Sequence, residues 1–142
     1  NSNDRRIVAM ITLANAGIQT THLPNNPKRH LHKSIAYNKQ GRTYPAVLIG
    51  RLGVDVEYQG AQFRIGAQIM DFIKDWFISA DNKTGCRFIL VDAANNTHTL
   101  AYYERNGFKP LFPRVSDEKA FYDVDESEEL RTRMYYFDLL NY

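Results

Sequence analysis

The stretch Tyr44–Gly66, YPAVLIGRLGVDVEYQGAQFRIG, decides how this chain folds. It opens as a long apolar run rich in β-branched residues, which predicts a buried strand over Tyr44 to Val56. Gly50 and Gly53 interrupt that run. Glycines weaken a strand, so a bulge or a close approach of another group is expected there. A loop with Gly60 and Gly66 follows. Ile65, Ile69, Phe72, Ile73, Trp76, Phe77 and Ala80 then recur at helical spacing, which predicts an amphipathic helix from Ile65 to about Ala80. Strand, glycine loop and helix start together form a backbone cradle for an anion, because the first N–H groups and the dipole of a helix favour negative charge. No Ser, Thr, Asp or Asn stands just before Ile65 to cap those N–H groups, so they are open to a ligand.

Downstream, Asp81 to Gly85 reads as a turn, and Cys86 to Asp92 (CRFILVD) as a buried strand. The intervening helix makes the crossover that parallel pairing needs. Asn95-Asn96-Thr97 offers an N-cap for a helix running to Asn106, where Gly107 can end it. Phe108 to Phe112 is a short strand, the acidic segment to Glu129 reads as a partly mobile loop, and Arg133 to Leu140 is a last strand. Upstream, residues 1–4 are polar. Ile7 to Leu13 and Ile18 to Thr21 read as two strands with a turn at Asn15–Gly17. His22 to Thr43 reads as a connector with a short basic helical turn near Pro27–Ser34. His30 and His32 stand two apart with no other ligand types around them, so no metal is expected. The pattern specifies an α/β (α+β) class: one domain over residues 1–142, with a mixed sheet and a central β-α-β unit.

With 142 residues, 44% of them apolar, the chain holds material for one core. No apolar run reaches the roughly 20 residues of a membrane span, so no membrane role is expected. One cysteine, Cys86, excludes an intrachain disulfide framework and points to a reducing, cytoplasmic setting. A net charge of +2 hides an asymmetry. Lys28, Arg29, Lys33, Lys39, Arg42 and Arg51 lie between Pro24 and Val54 without an acid. Asp117 to Glu129 is acidic apart from Lys119. The basic stretch is either a solvated loop or a footprint for nucleic acid or a phosphorylated cofactor.

Two motifs, taken together, resemble the GNAT N-acetyltransferases. That family carries a Leu/Ile-x-Val strand end, then Gln/Arg-x-x-Gly-x-Gly/Ala opening a helix. Here Leu52-Gly53-Val54-Asp55, Tyr58-Gln59-Gly60 and Ile65-Gly66 are similar to it. Ala101-Tyr102-Tyr103-Glu104-Arg105-Asn106-Gly107-Phe108 is similar to the family's Phe-Tyr-Glu-x-x-Gly-Phe. The likeness covers roughly Tyr44 to Pro110 and implies a mixed, mostly antiparallel sheet with flanking helices. Leu23-Pro24, the basic connector and the strand from Tyr44 resemble the toxin branch, whose members acetylate the amino group of aminoacyl-tRNA and pair with small antitoxins. Two departures stand out. Counted from Gln59, the glycine positions hold Gln62 and Arg64, which means two inserted residues. Counted back from Gly66, Ala61 opens the motif and Arg64 replaces a glycine. The family's first strand and following helices should also precede Ile7, so a missing upstream segment is expected.

The resemblance implies acetyl-CoA as cofactor and a primary amine as acceptor, with tRNA, an antitoxin protein and a second copy of the chain as candidate partners. The pantetheine arm would lie along Leu52, Gly53 and Val54, with the Val54 N–H on the thioester carbonyl. The pyrophosphate would sit on Gln59, Gly60, Gln62, Phe63, Arg64, Ile65, Gly66 and Ala67. Tyr103 would be the general acid, because Glu104 and Gly107-Phe108 fix the motif's register. Tyr102, about 100° round the helix, is the alternative. Without the motif, both tyrosines would read as core packing. Arg51, Asp55 and Tyr102 are candidates for acceptor contact. Arg51 would meet an RNA phosphate or an acid of this chain. Asp55 and Glu57 are solvated carboxylates or a base, with a water chain as the alternative. Two rival functions stay open: a GNAT enzyme acting on a small amine or protein terminus, and a non-enzymatic module with a degenerate cofactor loop.

Overall fold

A computed structural model describes residues 5–142, so the polar start at residues 1–4 lies outside the described residues. The elements are β1 (Ala9–Gln19), α1 (Asn25–His32), β2 (Thr43–Val54), α2 (Ile65–Ile78), β3 (Phe88–Ala94), α3 (Thr97–Arg105), β4 (Lys109–Pro110), α4 (Val115–Phe121) and β5 (Thr132–Asp138). They form one five-stranded sheet in the order β1-β2-β3-β5-β4. Only β2 and β3 run parallel, joined through α2; every other pair is antiparallel. This is the mixed sheet around a β-α-β unit that the sequence pattern specifies.

Side chains alternate between two packed faces. On one, Val47, Ile49, Ile89 and Val91 of the central strands pack under Met70 and Ile73 of α2 and Tyr103 of α3. On the other, Tyr44, Ala46, Phe88 and Leu90 pack against Leu31 of α1 and Phe112. Met70, Ile73, Phe88 and Ile89 are fully buried, and each contributes roughly 1.5–3 kcal/mol of hydrophobic transfer. Lys74 ties α2 to the end of α3. Its buried ammonium donates to the Asn106 carbonyl at 2.7 Å and lies 4.2 Å from the Phe137 ring centroid. A cation there complements the negative end of the helix. Burial nevertheless pushes its pKa down.

Two expectations are corrected. There is no turn at Asn15–Gly17: β1 runs unbroken, with Asn15, Ala16 and Gly17 paired to Val47, Ala46 and Pro45. The long β2 partner satisfies backbone groups that would otherwise favour a turn. The acidic segment is not all loop either, since α4 runs through it. Asp117 and Glu118 in its first turn complement the helix dipole. Glu118 is fully buried, pairs with Arg133 and accepts the Met134 N–H at 2.6 Å.

Candidate active site

The site begins with a bulge. Thr12 faces Arg51 across the β1–β2 ladder, while Leu13 faces Ile49, which leaves Gly50 as the extra residue of β2. A bulge bends its strand and ends regular pairing. β2 and β3 stay paired only from Ala46–Phe88 to Ile49–Val91. Beyond that they part, and a cleft of about 580 Å³ opens between Gly50–Gly53 and Val91–Ala94. Its floor towards the helices includes Ile49, Leu52, Val91 and Tyr103. Met10, Thr12, Arg51 and Asp92 line it as well.

The parted strand exposes backbone groups. Asp55 donates its N–H to the Val8 carbonyl at 2.8 Å. Backbone direction alternates along a strand, so the N–H groups of Leu52 and Val54 turn away from β1 towards the open side. Gln59 donates to the Val54 carbonyl at 2.8 Å, which braces the strand end.

The loop then turns through Val56–Tyr58 and Gly60, whose φ of 137° suits glycine alone. Arg64 precedes α2 at φ 51°, the left-handed region, and makes no side-chain cap. A positive φ at Arg64 fits the count in which it replaces a glycine rather than the count with two inserted residues. The Ile65, Gly66 and Ala67 N–H groups find no protein acceptor among the described residues. The cradle is therefore present as backbone, and it fits a phosphate. Phe63 packs at 5.6 Å from Tyr58, and the Gln62 side chain folds beside Gly60.

The two tyrosines separate cleanly. The Tyr102 hydroxyl donates to the Gly66 carbonyl at 2.7 Å, and its ring is so close that a Cβ on Gly66 would meet it at 2.9 Å. Tyr102 thus clamps α3 to the start of α2 and does not line the cleft. Tyr103 does. Its ring packs on Phe108 at 5.4 Å, and its side chain makes no hydrogen bond to protein among the described residues. Burial pushes its pKa up, which keeps the phenol protonated and able to donate. Asn96 caps α3 by accepting the Thr99 N–H, and Asn95 donates to the Leu130 carbonyl.

Neither proposed carboxylate is free. Arg6 binds Glu57 at 2.6 Å and Asp55 at 3.2 Å, and Asp55 also accepts the Glu57 N–H. Arg51 lies on the cleft wall and is exposed. The residue that sequence reasoning missed is Asp92. It ended a strand motif, and nothing local marked that strand as parting from its neighbour. Beside α1, Lys28, Arg29, His32 and Lys33 surround a second, open pocket with Asn25 and Gln40.

No family model matches the chain, and no curated protein matches its sequence. Solved structures do match. "AtaT complexed with acetyl-methionyl-tRNAfMet" superposes with a TM-score of 0.59 at 21% identity, over 99% of this chain and 68% of that one. "AtaTR bound with AcCoA" gives 0.54 at 22%, over 99% and 67%. A tyrosine-to-phenylalanine variant of KacT gives 0.54 at 21%, over 94% and 64%. The chain thus spans about two thirds of the length of these structures. The chain shares the fold of these structures, a mixed α/β sheet with flanking helices.

Proposed function

We propose that this chain is an acetyl-CoA-dependent N-acetyltransferase that acetylates a primary amine, with aminoacyl-tRNA as the favoured acceptor and a toxin of a toxin–antitoxin pair as its setting. The observation that carries this reading is the parted strand pair. It combines, in one place, a strand edge with free N–H groups, a helix-start cradle and a protonated tyrosine. These are the parts that a CoA thioester needs. Acetyl-CoA supplies the activated acetyl group when bound. The Leu52 and Val54 N–H groups would pair with the extended arm and offer a donor where negative charge develops on the carbonyl oxygen. The Ile65, Gly66 and Ala67 N–H groups would hold the pyrophosphate, with Arg64 adding charge at the loop. Tyr103 would give its proton to the departing sulfur.

The acceptor assignment rests on the sheet face that carries α1. Lys28, Arg29 and Lys33 lie there with no ion pair among the described residues, a surface suited to a phosphate backbone. AtaT is seen with an acetylated aminoacyl-tRNA. Incubation with methionyl-tRNA and labelled acetyl-CoA tests the reading, and label on the RNA is the expected outcome. Calorimetry with acetyl-CoA tests the cofactor alone. Micromolar binding supports the cradle, whereas no binding up to millimolar acetyl-CoA removes it.

A further inference from the structure

We propose that the acceptor amine enters the cleft from the sheet face opposite α2 and α3, and delivers its proton to the carboxylate of Asp92. This rests on the acetyltransferase reading and names the part of the mechanism that reading leaves without a residue.

Alternation along β3 fixes where Asp92 points. Ile89, Val91 and Ala93 pack under α2 and α3, while Phe88 and Leu90 pack with α1 on the other face. Asp92 follows Phe88 and Leu90. The bulge at Gly50 does the same for Arg51 on the facing strand. Ile49 and Leu52 both pack towards α2 and α3 although three positions apart, so Arg51 takes the opposite face. Tyr103 reaches the same cleft from the helix side. The cleft therefore passes through the sheet, with a proton donor at one mouth and a carboxylate at the other. An amine entering at the Asp92 mouth would meet the thioester from the side away from the departing sulfur's donor.

Asp92 also differs from the other acids near the site. Asp55 and Glu57 are held by Arg6, and Glu104 accepts the Tyr135 hydroxyl. Glu118 is held by Arg133, and Asp138 by Arg87. Asp92 has no hydrogen bond or ion pair from its side chain among the described residues. It reaches solvent, yet the cleft walls remove enough water to push its pKa up. A carboxylate raised in this way takes a proton more readily than an ordinary one. The rise comes from lost water alone, and of the groups around it the Arg51 charge would favour the carboxylate. Arg51 stands across the cleft, and Met134 is its neighbour on β5. Beyond Met134, Glu118 of α4 is committed to Arg133. Tyr122 stays protonated, with Asp92 as one cause.

The step balances. The amine nitrogen bonds to the acetyl carbon, and the carbon–sulfur bond breaks. One N–H proton passes to Asp92, and the departing sulfur takes the Tyr103 proton. Exchange with solvent then returns Asp92 to carboxylate and Tyr103 to phenol.

The test compares the intact chain with Asp92→Asn and Asp92→Glu, using methionyl-tRNA and methioninamide as acceptors from pH 5 to 9. Asp92→Asn should lower kcat/KM by about 10²–10⁴-fold and leave an acidic limb set by protonation of the acceptor amine alone. Acetyl-CoA affinity by calorimetry should stay within about twofold, and Asp92→Glu should recover part of the rate. An Asp92→Asn enzyme within threefold of the parent, with the same acidic limb, overturns the proposal. A parent chain that acetylates neither acceptor overturns the acetyltransferase reading instead. Asp92 is then decided by carbon NMR of its carboxyl during methioninamide titration. A shift absent from Asp92→Asn supports an amine at Asp92, and no shift overturns it.

Discussion

The paired and parted halves of β2 and β3 are built from the same two strands, yet they serve opposite ends. In the paired half, Ala46 to Ile49 lie against Phe88 to Val91, and Val47, Ile49, Ile89 and Val91 are at most 3% exposed. In the parted half, Arg51, Gly53, Asp92 and Ala94 all reach solvent. One inserted residue, Gly50, separates the two. Hydrophobic burial is non-directional and holds the closed half shut. The open half is held open by broken pairing, which leaves backbone donors unused and lets charged side chains reach both lips. The core therefore acts as a rigid grip, and the site is the gap that grip leaves.

Substitutions should affect either rate or stability, depending on the half they strike. Tyr103→Phe carries the largest expected effect, a fall in turnover of about 10²–10⁴-fold, or roughly 2.7–5.5 kcal/mol at 1.36 kcal/mol per decade. Acetyl-CoA affinity should be unchanged, as steady-state kinetics and calorimetry will show. On the proposed reading, the raised pKa of Tyr103 in the unsubstituted chain places the alkaline fall in rate above the ordinary phenol value of about 10. Turnover that ignores the substitution would move the acid elsewhere. Ile89→Ala, in the closed half, should lose about 2–5 kcal/mol of stability in denaturant titration. A smaller loss would mean that the grip is looser than its burial implies. Gly66→Ala forces the Tyr102 ring aside and should cost about 1–3 kcal/mol. Pairing it with Tyr102→Ala should recover part of that cost. Arg64→Gly removes a left-handed non-glycine residue and should gain about 1 kcal/mol, measurable as a rise in Tm. Arg51→Ala, in the open half, should change stability by no more than about 0.5 kcal/mol. If the acceptor is tRNA as proposed, it should also make the salt dependence of binding shallower by about one phosphate.

Much of this fold was legible where its causes are local. The apolar run, the helix periodicity after Ile65, the Asn96 cap and the Gly107 stop all act within a few residues. They placed β2, α2, β3 and α3. Gly50 was legible as a bulge or close approach because glycine inside a strand has few other reasons to be there. Distant pairing was not legible. Asn15 and Gly17 favour a turn until a 12-residue partner strand satisfies them. The acidic segment looked solvated because the partner of Glu118 is Arg133, 15 positions later. Arg6 occupying Asp55 and Glu57 is likewise an effect at long range, 49 and 51 positions away. Asp92 escaped for the same reason, since its character comes from a neighbouring strand that bends away.

The joint between Tyr102 and Gly66 has a consequence for length. Tyr102 is anchored to the first turn of α2, and Tyr103 is the next residue on α3. Whatever fixes one end of that short backbone fixes the other, with no flexible segment between. The interval from the helix-start N–H groups to the Tyr103 hydroxyl is therefore set by the fold and not by the ligand. On the proposed reading it works as a ruler for thioester carriers. A full-length arm spans both marks, whereas a truncated one can reach the phosphate end or the proton end but not both together.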